Sequence, residues 1–69
     1  MANINKLRSK MAEHGTTAFI QELADVLHIS RTSASNKLNE KTAFKESEIA
    51  TLAKKYEMTP EDIKTIFIK

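Results

Sequence analysis

The residues with the most chemistry to offer lie between Ser30 and Asn39, in the stretch SRTSASNKLN. Arg31, Thr32, Ser33, Ser35, Asn36, Lys37 and Asn39 all carry hydrogen-bonding side chains, and only Ala34 and Leu38, at i and i+4, are apolar. A helix over Arg31 to about Asn39 therefore has little to bury and a long polar face for an anionic surface. A DNA recognition helix presents such a face to the major groove. On that reading Arg31 and Thr32, at the N-terminal end, reach base edges first. Arg31 can pair bidentately with guanine O6 and N7, Asn36 one turn on with adenine N6 and N7, and Thr32 can lay its methyl group against thymine. Ser30, Ser33 and Ser35 are short donors suited to phosphates or, through water, to a base; Ser35 is grouped with the base readers. Asn36 is the most telling, since Asn forms helices poorly and a surface position has no structural need of it.

Other chemistry finds little support. His14 and His28 are the only histidines and there is no cysteine, so neither imidazole has a partner at metal-ligand spacing. The serines sit in helical or capping contexts without a strained turn or a neighbouring base, which argues against a nucleophile. Glu61 and Asp62 belong to a helix start rather than to a paired-carboxylate site. No enzyme activity, metal, cofactor or small-molecule substrate is expected.

The elements that must hold the polar stretch are helices. Asn3 or Asn5 caps a first helix that carries Ile4, Leu7 and Met11 on one face and ends at Gly15, in the position where a left-handed residue is cheap. Thr16 and Thr17 are alternative caps for a second, whose stripe of Ile20, Leu23, Ala24 and Leu27 recurs at i, i+3, i+4 and i+7. A short turn, Leu27-His28-Ile29, leads to Ser30 as the cap of the polar helix. Phe44 plugs the core beneath the loop that follows. A fourth helix runs from about Glu46 to Tyr56, with Ile49, Leu52, Ala53 and Tyr56 inward and its acidic and basic ends set as the helix dipole prefers. Thr59-Pro60-Glu61-Asp62 opens a fifth, with Thr59 as cap, Pro60 at the first helical position and Asp62 completing a capping box. Ile63 and Ile66 face the core; Phe67 and Ile68 form either its lid or a dimer contact.

Taken together, LADVLHIS and RTSASNKLN resemble the helix-turn-helix of Cro and repressor-type phage regulators. NEKTAFKESEIATLAKKY looks like the loop and fourth helix of that class, and PEDIKTIFI is similar to the end of small Cro-like phage proteins. His28 stands where the family usually has Gly, a site that often needs positive φ. Lys37 stands where an apolar residue is usual, with Leu38 expected to take its place through a slight turn of the helix. The resemblance implies an all-α, five-helix, lambda-repressor-like domain spanning residues 1–69, encoded by a phage or prophage and acting in a lysis-lysogeny switch. It also implies that Asn39, Lys41 and Lys45 clamp the DNA backbone after the recognition helix. Thr17 joins Ser30 and Ser33 in the phosphate-contacting set, and Lys6, Arg8 and Lys10 are weaker candidates.

Sixty-nine residues make one domain, which at this size buries only about 60% of its unfolded surface. Without cysteine there is no disulfide framework, and no apolar run approaches a signal peptide or a membrane span, so a cytoplasmic protein without a membrane partner is expected. The net charge of +2 is small, but residues 28–45 carry Arg31, Lys37, Lys41 and Lys45 against Glu40 alone. Residues 46–63 hold five acids against Lys54 and Lys55, a polarity that can orient a domain on a polyanion. The expected partner is double-stranded DNA, bound by a homodimer on two half-sites through Phe67, Ile68 and the fifth helix. The rival is an antirepressor or co-repressor that holds a phage repressor protein through the same polar helix or the apolar tail.

Overall fold

Asn3 starts the first helix by accepting the Lys6 backbone N–H at 3.1 Å. In the computed structural model, which describes residues 3–68, five helices follow one another: α1 (Ile4–Glu13), α2 (Phe19–Leu27), α3 (Arg31–Leu38), α4 (Glu46–Lys55) and α5 (Pro60–Phe67). No strand occurs among the described residues. Ser30 and Thr59 cap α3 and α5 as their sequence positions predict, each accepting a backbone N–H at 3.1 Å, from Ser33 and Asp62. Asp62 completes the box by accepting the Thr59 N–H. The second helix differs from expectation. Its cap is Ala18, without a side-chain bond, so neither Thr16 nor Thr17 caps it. Thr16 instead turns its backbone N–H back to Met11 at the end of α1.

The first four helices stop in the same way. An N–H beyond each end reaches back to a carbonyl five residues earlier: Thr16 to Met11, Ile29 to Ala24, Lys41 to Asn36 and Met58 to Ala53, at 2.8 to 3.1 Å. This geometry needs a left-handed residue inside each turn, and Gly15, His28, Glu40 and Glu57 supply it with φ of 87°, 56°, 60° and 49°. At Gly15 a Cβ would meet nothing within 4 Å, so that glycine answers a backbone demand and not a spatial one.

Leu7, Met11, Leu23, Leu52, Tyr56 and Ile66 are fully buried and draw all the helices but α3 onto one centre, which Ala34 and Leu38 join from α3. The α2 helix packs on both α3 and α4, while α5 packs on α1 and α4. Polar links fasten the same contacts. The Asn3 N–H donates to the Ile66 carbonyl at 2.6 Å, and Lys10 lies 3.0 Å from Asp62. The Tyr56 hydroxyl donates to Glu22 at 3.2 Å; burial pushes its pKa up to about 12, with the Glu22 charge adding to the shift and the Thr16 hydroxyl opposing it. Phe44 is half-buried and meets Phe67 edge to face, with ring centroids 5.2 Å apart. Ile20, expected in the buried stripe of α2, is instead 37% exposed. The buried part of that stripe is Leu23 and Ala24, with Leu27 half-buried. No helix among the described residues is long and apolar enough to cross a membrane.

Candidate nucleic-acid interface

Three residues, His28 to Ser30, separate α2 from α3. The left-handed His28 reverses the chain, and the extended Ser30, with ψ of 160°, launches α3 in its new direction. Side chains at i, i+3 and i+4 share a helix face. On α3 these are Ala34, Lys37 and Leu38, all buried. The polar positions Arg31, Thr32, Ser35 and Asn36 come together with Ile20 of α2 around a shallow surface concavity of about 380 Å³. All four residues expected at base edges thus line one surface.

The inward placement of Lys37 corrects the sequence reading, which had it on the polar face. It is only 7% exposed. Its Nζ lies 3.0 Å from Glu48 Oε1, donates to the Ala43 carbonyl at 3.0 Å and stands over the Phe44 ring, 5.7 Å from its centroid. A lysine is admitted here because its hydrocarbon stem packs as an apolar residue would while its ammonium finds a carboxylate, a carbonyl and an aromatic face. Leu38 does not replace it, since both residues point inward. Burial alone would raise the Glu48 carboxyl, but the Lys45 backbone N–H and the Lys37 ammonium outweigh it and hold the group below its ordinary value. The anion so maintained stands in the first turn of α4, where the helix dipole favours it.

The expected phosphate-contacting residues divide. Lys41 and Lys45 are exposed on the segment after α3, and Thr17 is exposed before α2. The Ser30 hydroxyl accepts from the Ser33 N–H and donates to the Ser33 hydroxyl at 3.1 Å, which leaves Ser33 as the member of that pair with a free proton. Both hydrogen bonds of the Asn39 amide nitrogen go to Ser35, one to its carbonyl at 2.9 Å and one to its hydroxyl at 3.2 Å. The group Asn39 leaves free is then its carbonyl oxygen, an acceptor unsuited to an anion, while the Ser35 hydroxyl keeps its own proton to donate. Charge segregation along the sequence is also partly cancelled in space, because Lys37 from the basic segment, and Lys10 from α1, meet Glu48 and Asp62 from the acidic one. Arg8 leans toward the Phe19 ring, 6.0 Å from its centroid.

Ile20 is the residue of this surface that the sequence reading missed. Its periodicity placed it with the core, and only the angle between α2 and α3 brings it beside Arg31 and Asn36. Of the expected dimer residues, Phe67 is half-buried against Phe44 and Ile68 is 57% exposed. No group of three or more His, Cys, Asp or Glu residues among those described is placed to hold a metal ion. His14 lies at the end of α1, edge to face with Tyr56 at 5.6 Å.

Compared with known proteins, residues 2–69 match a family model described as "Protein of unknown function (DUF739)". No curated protein and no solved structure matches.

Proposed function

We propose, for a chain that belongs to the DUF739 family, that it is a sequence-specific DNA-binding regulator of the Cro-like kind, with α3 as its recognition helix. The observation that carries this reading is the sharing of one surface by Arg31, Thr32, Ser35 and Asn36, on a helix whose apolar residues all face inward. That surface offers one fixed cation, an amide with both donor and acceptor, and two hydroxyls, the groups that read base edges. Lys41 and Lys45, exposed on the segment that follows α3, supply phosphate contacts. The turn before α3 and the small residues Ala24 and Ala34, buried on two helices that pack together, add to the resemblance.

In action, the protein represses a phage or prophage promoter by occupying its operator against polymerase. Each copy reads one half-site. The longest dimension of the fold is 28 Å, shorter than the roughly 34 Å between half-site centres one helical turn apart, so two copies side by side suit a two-part operator. The exposed Ile68 at the end of α5 is the apolar group available to join them. A second reading, capture of a phage repressor protein by the same surface, draws support from Ile20, an exposed apolar side chain of the sort a protein partner uses as an anchor.

The deciding experiment is binding to duplex DNA from the flanks of the protein's own gene, at low and physiological salt. Sequence-selective binding that survives physiological salt is expected, with Arg31→Ala and Asn36→Ala each losing about 1–3 kcal/mol of discrimination at one position. Equal, weak affinity for every duplex, collapsing as salt rises, rejects operator recognition and turns attention to the protein partner.

A further inference from the structure

We propose that Ile20 reads the 5-methyl group of a thymine, so that the duplex this chain selects carries an A·T pair whose adenine is bonded by Asn36, near the base bonded by Arg31. The inference rests on the DNA-binding reading above and adds the class of base pair. Exposure alone would not support it, since single apolar side chains at a surface are common. Its position does. Ile20 is one of two large apolar side chains exposed among the described residues, and the other four residues around its concavity, Arg31, Thr32, Ser35 and Asn36, are all polar.

A wall of hydrogen-bonding groups facing one hydrocarbon side chain suits a particular edge. In the major groove only the A·T pair offers an apolar group, the methyl at C5 of thymine, on the same edge as the N6 donor and N7 acceptor of adenine. The Asn36 amide matches the adenine, and Ile20 matches the methyl. Thr32, on the same lining, adds a methyl group of its own. The guanidinium of Arg31 and the density of donors favour a base edge over the apolar side chain of a protein partner.

The test uses the full chain and the duplex most enriched from a randomised pool by the wild-type protein. Each thymine in it is replaced in turn by deoxyuridine, which removes the methyl and nothing else. One replacement is expected to weaken wild-type binding about fourfold, the effect of uncovering one methyl-sized group. Ile20→Ala is expected to weaken binding to the thymine duplex by a similar factor and to be indifferent to uracil at that same position. Helical content and Tm are compared first, and the exposure of Ile20 leads us to expect little change in either. Wild-type binding that is selective but indifferent to every uracil overturns the methyl contact and leaves DNA recognition standing. Retention of the wild-type sensitivity by Ile20→Ala also overturns it, because another residue is then the reader. Failure of the pool to enrich any sequence overturns both DNA recognition and the methyl contact, and returns Ile20 to the role of a protein anchor.

Discussion

Lys37 shows how one side chain can change sides once its partners are known. By composition it belongs to a basic, polar helix; in the fold its ammonium is neutralised by Glu48 and it takes no part in the outer surface. Removing one member of such a buried pair leaves the other charge without compensation, which is costly, whereas replacing both is often close to neutral. Glu48→Ala is therefore expected to destabilise the domain by about 3 kcal/mol in urea unfolding, since the Lys45 N–H also loses its acceptor. The double variant Lys37→Met/Glu48→Gln should unfold within about 1 kcal/mol of the wild type. On the proposed DNA-binding reading, the same pair separates structural cations from those that would face DNA. Loss of the Lys37 charge in the double variant should leave the salt dependence of DNA binding unchanged, while Lys41→Ala should reduce the slope by about 1. An equal reduction in both would mean that the ammonium of Lys37 reaches phosphate after all.

At the scale of elements, helix starts and helix stops differ in how openly they are written. The starts use side chains, and Asn3, Ser30 and Thr59 are visible as caps because each needs a short oxygen-bearing residue at one position. Four stops use a left-handed backbone, and only one of the four left-handed residues is glycine. His28 was legible through its resemblance to a family position usually held by Gly. Glu40 and Glu57 carry no such mark, because a glutamate adopts this conformation under tertiary constraint and not by preference. That constraint is stored as strain. Glu57→Gly is expected to stabilise the domain by about 0.5–1 kcal/mol, and Lys64→Gly, inside α5, to destabilise it by about 1 kcal/mol. Urea midpoints moving in the same direction for both would contradict the role assigned to φ at residue 57.

For the whole molecule the governing quantity is size. On the proposed DNA-binding reading, a fold 28 Å in its longest dimension has room for few contacts with a duplex, and non-specific affinity for a duplex is typically only about 10⁻⁴ to 10⁻⁶ M. Pairing two copies on adjacent half-sites multiplies effective affinity without any new base contact. Ile68→Lys, at a residue 57% exposed, is expected to weaken binding to a duplex with two half-sites while leaving binding to a single half-site unchanged. An unchanged affinity for both duplexes would remove Ile68 from the proposed dimer contact, and Phe67, half-buried against Phe44, would be the next residue to test.

The five helices, their order and most of their caps follow from the sequence alone, because amphipathic spacing and capping are local properties with a short reach along the chain. The common face of Arg31, Thr32, Ser35 and Asn36 is legible for the same reason, being fixed by helical period once α3 forms. What only the tertiary structure decided depends on the angle and distance between elements. It turned Lys37 toward Glu48, placed Lys10 against Asp62 and left Ile20 outside the core beside the polar face of α3. Charge and periodicity describe each helix by itself, and none of these three outcomes is a property of one helix.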